Sequence, residues 1–173
     1  GTGDAAAAGL SGLSADISSN TSSVLVMPGD TPLLTSHTIS RLIAEHSSSK
    51  NAATVLTSIL DDPAGYGRIV RDSGGNVVGI VEHRDSSPDE LNIHEINTGI
   101  YLFQFDLFGP ALKGISTNNS QAEYYLTDVV AVLASVGRSV GSMIAPASET
   151  AGVNDPLQLA EAEQEMLRRN AAL

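Results

Sequence analysis

Short apolar runs alternate with amphipathic stretches along this chain, and the alternation predicts its elements. Val24-Leu25-Val26-Met27 is continuously apolar and ends at Pro28-Gly29-Asp30, the pattern of a strand buried on both faces. Ala5 to Leu13 reads as a small-residue helix, and Ser14 to Ser23 as a Ser/Asn/Thr-rich loop. From Ser36 as N-cap, Ile39, Leu42 and Ile43 share one face opposite Arg41 and Glu45, which predicts an amphipathic helix. Ala53 to Leu60 predicts the next strand. Arg68 to Arg71 and Val77 to Glu82 flank Ser73-Gly74-Gly75-Asn76 as a β-hairpin. Ser87-Pro88-Asp89-Glu90 has the form of a helix start, and Ile96 to Phe103 that of a strand. Helices over Asp106 to Lys113 and Gln121 to Val136, a strand over Val140 to Ala145, and a helix from Pro156 to about Asn170 capped by Asn154 or Asp155 complete the pattern. Helical and strand periods interleave and a hairpin interrupts them, so the expected class is α/β with a mixed, mostly parallel, doubly wound sheet.

Composition narrows this reading. The 173 residues are 42% apolar but only 4% aromatic, so aliphatic side chains must fill one core of single-domain size. The net charge of −11, from 20 acidic against 9 basic residues, argues against nucleic acid and anionic membrane as partners, since both are bound through Lys and Arg. There is no Cys, which excludes disulfides, zinc–thiolate sites and thiol nucleophiles and is compatible with a reducing cytosol. No apolar run approaches the roughly 20 residues of a membrane span. Gly1-Thr2-Gly3-Asp4 lacks a Met and reads as a processed or truncated start.

Ligands of open α/β sheets sit beyond the carboxyl ends of the strands. Asp30 follows a strand through Gly29, and its carboxylate either holds a magnesium ion or hydrogen-bonds the turn into Thr31-Pro32. Glu82 and Asn97 are polar residues in strands; their partners are either a sugar's hydroxyl and amide groups or neighbouring backbone. His37, His46, His83 and His94 lack metal-ligand spacing. Gly1-Thr2-Gly3 is a weak phosphate-loop pattern without the Lys of a P-loop, and no Gly-x-Ser-x-Gly elbow is present.

Taken together, Gly1-Thr2-Gly3, Gly29-Asp30-Thr31-Pro32-Leu33, Asp61-Asp62-Pro63-Ala64-Gly65-Tyr66-Gly67-Arg68-Ile69, Ile80-Val81-Glu82-His83, Glu95-Ile96-Asn97-Thr98-Gly99, Glu123-Tyr124-Tyr125-Leu126-Thr127-Asp128 and Gly152-Val153-Asn154 resemble, in order and spacing, the uridyltransferase domain of the bifunctional N-acetylglucosamine-1-phosphate uridyltransferase/glucosamine-1-phosphate acetyltransferase family. The resemblance implies a nucleotide-diphospho-sugar transferase fold and a cytoplasmic enzyme. Its reaction joins UTP and N-acetylglucosamine 1-phosphate into UDP-N-acetylglucosamine and pyrophosphate, with magnesium as cofactor, for cell-envelope precursors. Asp30 and Asn154 then match magnesium ligands and catalytic positions. Gly1, Thr2, Gly29, Gly67, Glu82, Asn97, Tyr125, Thr127 and Asn154 match substrate-binding positions. The resemblance also implies a partial uridyltransferase domain over 1–155 and a linker helix over 156–173, leading toward a C-terminal acetyltransferase domain through which the family forms homo-oligomers.

The sequence departs from the family at Asp4, where His is usual, and at Asp155-Pro156, where a second Asn followed by Arg is common. The family's opening strand and Gly-rich, Arg-bearing loop that grips the triphosphate are not in this sequence, so the chain reads as N-terminally truncated, poorly stable alone, and dependent on that segment for turnover. Two other readings stay open at this stage. One is a nucleotidyltransferase for another sugar 1-phosphate, and the other a non-catalytic sugar-nucleotide-binding fragment.

Overall fold

A computed structural model describes residues 1–13 and 22–171; most of the predicted Ser14–Ser23 loop lies outside them. The elements are α1 (Thr2–Ser11), β1 (Ser23–Val26), α2 (Ser36–Ser49), β2 (Ala53–Ile59), β3 (Arg68–Arg71), β4 (Val77–Val81), β5 (Glu95–Gln104), α3 (Phe105–Leu112), α4 (Asp128–Ser135), β6 (Val140–Ile144), α5 (Ala147–Thr150) and α6 (Pro156–Ala171).

The six-stranded sheet runs β4-β3-β5-β2-β6, with β1 beside β5. The class is α/β and the sheet mixed, as the sequence predicts. β1, β2 and β6 point the same way, but β5 runs against β1, β2 and β3, so β2–β6 is the one parallel ladder among the described residues. β5 is the spine: β2 follows it along one edge, while β1 takes its last residues and β3 its first on the other edge.

Alternation along β5 separates two cores. Tyr101 and Phe103 face one cluster with Val55, Phe108, Val129, Val130 and Leu133, whereas Ile100 and Leu102 face another with Leu42, Leu56 and Met143. A strand whose two faces both meet helices reads as an unbroken apolar run for this reason. Phe103 stacks on Phe108 at 4.2 Å and on Tyr101 at 5.5 Å, which gathers part of the scarce aromatic residues into one layer.

Several boundaries differ from the expected ones. Thr35, not Ser36, caps α2, its hydroxyl accepting the Thr38 N–H at 3.1 Å. The buried face of that helix is Thr38, Leu42 and His46 while Ile43 is exposed, because hydrogen bonds from Thr38 to Glu149 and between His46 and Thr54 satisfy the polar pair. The helix expected from Gln121 begins only at Asp128. Ala122 adopts a left-handed φ of 52°, and the turns that follow accept the amino end of α1: Gly3 N–H donates to the Tyr124 carbonyl at 2.8 Å and Leu126 N–H to the Thr2 hydroxyl at 3.0 Å. Ser87 and Glu90 do form the reciprocal cap read from sequence, but only a single 3-10 turn, Glu90–Asn92, follows. Asp155 is the cap of α6, its Oδ1 accepting the Gln158 N–H at 2.8 Å, and Pro156 stands at the first helical position, where its missing N–H costs nothing. The departure at Asp155-Pro156 is thus a helix start.

Candidate functional site

At the carboxyl ends of β1, β2 and β6 the amino end of the reversed β5 enters the same rim. This local reversal builds the cleft. Between β2 and β5 the register slips by the pair Thr98-Gly99: Leu56 lies opposite Ile100 but Thr57 opposite Asn97. Such a bulge bends the strand and re-aims its side chains. Gly99 supplies the φ of +79° that the bend needs. Thr98 donates to the Leu56 carbonyl at 2.6 Å, and Asn97 Oδ1 accepts the Gly99 N–H at 3.1 Å. With its oxygen so engaged, Asn97 lines the cleft.

The cleft has a volume of about 620 Å³, and polar Thr2, Glu82, Asn97 and Thr127 share its wall with apolar Val26, Leu126 and others. Glu82 leaves the end of β4 half-buried, and Thr127 Oγ1 donates to its Oε1 at 3.0 Å. Burial raises the Glu82 carboxyl above the ordinary carboxylate range; the Thr127 bond opposes this, and the charges of Asp128 and Asp85 add to it.

Gly67 is buried beside this pair. A Cβ there would lie 3.4 Å from Glu82 Oε2 and 3.6 Å from Asn97 Cβ and would press on Ile80 at 3.1 Å, so glycine lets these side chains close on the backbone. Its carbonyl accepts the Asn97 N–H at 2.9 Å. Arg68, 1% exposed, donates through Nη1 to the Tyr66 carbonyl and so braces the Gly65–Gly67 turn.

Pro28 packs over Gly99, 3.6 Å from where a Cβ would stand, and carries the chain from the cleft wall to Asp30. Val153 N–H donates to the Asp30 carbonyl at 2.8 Å. The Asp30 carboxyl and the Asn154 amide both approach Gly152, at 3.9 and 3.6 Å from a Cβ that glycine omits. Two exposed side chains thus flank Gly152, Asn154 through its amide nitrogen.

The structure brings Glu82, Asn97, Thr127 and Thr2 together in the cleft wall, with Gly67 behind Glu82 and Asn97, and sets Asp30 and Asn154 about Gly152, outside that wall. Gly29 lies exposed in the turn between Pro28 and Asp30. Gly1 packs against the Tyr124 carbonyl, and the Tyr125 hydroxyl accepts from Gln121 at 2.9 Å; neither residue lines the cleft. Sequence reasoning passed over Gly99 as an element of the site, although a lone glycine inside a strand is the ordinary mark of a bulge. It also passed over Glu149 and Arg169, for which sequence holds no local signal. Among the described residues no group of three or more His, Cys, Asp and Glu is gathered to hold a metal, and no helix is long and apolar enough to cross a membrane.

The fold recurs in solved structures. CMP:2-keto-3-deoxy-manno-octonic acid synthetase in complex with CTP superposes with a TM-score of 0.63 at 14% identity, covering 98% of this chain and 69% of that one. The 4-diphosphocytidyl-2C-methyl-D-erythritol synthase of Anaerococcus prevotii does so with a TM-score of 0.58 at 16% identity, covering 92% and 64%. Among curated proteins, bifunctional protein GlmU of Clostridium beijerinckii is 50% identical over 146 residues, 84% of this chain and 32% of that protein. Bifunctional protein GlmU of an Exiguobacterium species is 47% identical over 156 residues, 90% of this chain and 35% of that one. The chain thus spans about a third of the length of these relatives. The family model for nucleotidyl transferases matches residues 1–150, and the chain belongs to the nucleotidyl transferase family.

Proposed function

We propose that this chain forms the sugar-phosphate side of a uridyltransferase site that makes UDP-N-acetylglucosamine and pyrophosphate from UTP and N-acetylglucosamine 1-phosphate. The observation that carries the reading is the convergence of Glu82, Asn97 and Thr127 on one largely apolar cleft, with Gly67 packed behind the first two. A carboxylate accepts from sugar hydroxyls, a carboxamide nitrogen donates to an acetamido carbonyl, and apolar wall residues such as Val26 and Leu126 suit the acetyl methyl. The relatives named bifunctional protein GlmU support this choice over a nucleotidyltransferase for another sugar phosphate.

The reaction needs no covalent enzyme intermediate. An oxygen of the sugar phosphate attacks the α-phosphorus of UTP in line as the bond to pyrophosphate breaks, so the protein's part is to position reactants and offset charge. Glu82 and Asn97 fix the sugar, and Thr127 holds the Glu82 carboxylate in one orientation. Thr2, at the opening of α1, lies where a nucleotide base would enter the same cleft. Asp30 and Asn154 flank Gly152, and the carboxylate and carboxamide oxygens of such a pair are the donors that suit magnesium, an ion that keeps waters and takes phosphate oxygens as further ligands. Bound there, magnesium would neutralise phosphate charge. With a net charge of −11, the chain itself opposes anionic substrates. We place this chemistry in the cytoplasm, where nucleotide precursors are made, and expect neither nucleic acid nor membrane as partners.

Calorimetric titration of UDP-N-acetylglucosamine into the chain, with and without magnesium and with UDP-glucose as control, tests the reading. Magnesium-dependent binding that prefers the N-acetyl sugar and is lost in Asp30→Ala is expected. A folded chain that binds neither nucleotide would overturn the reading.

A further inference from the structure

The loops that carry Asp30 and Asn154 are held together from behind by a residue on the last helix. Arg169 stands near the end of α6, and its Nη1 donates to the Leu33 carbonyl at 2.7 Å, just beyond Asp30. Its Nη2 lies 3.4 Å from the Ser148 carbonyl, at the start of the segment that leads to Asn154. The same guanidinium is oriented by Glu165, whose Oε1 accepts from Nε at 2.7 Å. Alongside, Glu149 Oε2 accepts the Thr35 N–H at 3.3 Å, the Thr35 hydroxyl at 2.8 Å and the Thr38 hydroxyl at 2.7 Å. Burial would raise the Glu149 carboxyl, but these bonds, with the charge of Arg169, hold it below its ordinary value.

A guanidinium fork is rigid and planar, so it meets both carbonyls well at only one separation of the two loops. That separation also governs the Val153 to Asp30 bond and the gap at Gly152 between the Asp30 carboxyl and the Asn154 amide. We propose that Arg169 is a positioning residue for the cation and phosphate end of the cleft, setting the spacing of Asp30 and Asn154 and tying it to the docking of α6. The proposal rests on the reading of those two residues as the cation-binding pair. Arg168 supplies an internal control. It forms the same kind of bond to Glu165, at 2.7 and 2.8 Å, but is exposed and reaches neither loop.

The test compares wild type, Arg169→Ala, Arg169→Lys and Arg168→Ala in the full 173-residue chain by amide hydrogen exchange and by titration with UDP-N-acetylglucosamine with and without magnesium. Arg169→Ala is expected to speed exchange over residues 31–38 and 148–154 and to weaken the magnesium-dependent part of binding about tenfold, the scale of one lost charge-assisted hydrogen bond. Binding without magnesium should stay unchanged, Arg169→Lys should recover only part of the loss, and Arg168→Ala should match wild type. Unchanged exchange in Arg169→Ala overturns the clamp. Faster exchange with unchanged magnesium-dependent binding, or an equal loss with and without magnesium, overturns the positioning role. If wild type shows no magnesium-dependent binding, the reading of Asp30 and Asn154 falls and the positioning role with it, while exchange still decides the clamp.

Discussion

Glu82 joins stability to the proposed recognition of the sugar in a single carboxyl. Its folded-state pKa is raised, by burial first and by Asp128 and Asp85 in addition, so the native state binds this proton more tightly than the unfolded chain does. The resulting cost to folding is absent below the ordinary value of 4.5 and grows as pH rises through the folded value. Glu82→Gln is therefore expected to melt higher than wild type at pH 7, with the gap closing toward pH 4, and to lose affinity for the sugar nucleotide. Thermal melts across that range and a titration at pH 7 check both halves; a variant that melts lower at pH 7 would mean that Thr127 already compensates the charge. At this scale, Glu82 and Asn97 were legible because polar side chains in strands need partners. Tyr125 was read as lying near the sugar from its place in a motif, but its hydroxyl turns to Gln121. Arg169 was not legible as part of the site, since its partners Leu33 and Ser148 lie far away in the chain.

Among the elements, β5 carries the largest geometric decision. Ala at Gly99 would meet only Pro28, at 3.6 and 3.7 Å, so the penalty of Gly99→Ala comes from a φ of +79° rather than from crowding. A loss of about 1–2 kcal/mol is expected, read as a lower urea midpoint with unchanged slope. Sugar-nucleotide affinity should fall with it, because relaxing the bulge turns Asn97 away. Strands were legible nearly to the residue, since buried runs leave little choice of period, and so were the hairpin and the Asp155 cap, whereas α2 is capped by Thr35 and not by Ser36. The Gln121–Thr127 segment was not. Its composition favours helix, yet the Gly3 and Leu126 amides find partners only if the chain turns there instead, and a long-range contact of this sort overrides local propensity.

For the whole molecule, the notable asymmetry lies at β1. It pairs with β5 along one edge; its other edge has no ladder among the described residues, and the largely apolar cleft wall begins beside it. Unpaired edges next to apolar surface invite association. Sedimentation of this chain is expected to show self-association that grows with concentration, whereas a monodisperse monomer with a sharp cooperative melt would show that the edge is protected. The layered α/β plan was legible from the alternation of periods, but the reversed spine was not, because strand direction leaves no mark on a fully buried sequence.

That spine holds the two sides of the cleft in one body, for Ile69, Val77 and Ile80 of the hairpin share a core with Val55, Phe103 and Val129. The β3–β4 hairpin, with Gly67 at its entrance and Glu82 at its exit, joins the rest of the sheet by the pairing of Arg68 with Ile96 and by the Arg71 fork on Glu95. Asp30 and Asn154 belong to the other side of the kink. The consequence is modular: substitutions in the hairpin's exit strand alter the surroundings of Glu82, whereas the Val153–Asp30 hydrogen bond draws on neither hairpin strand.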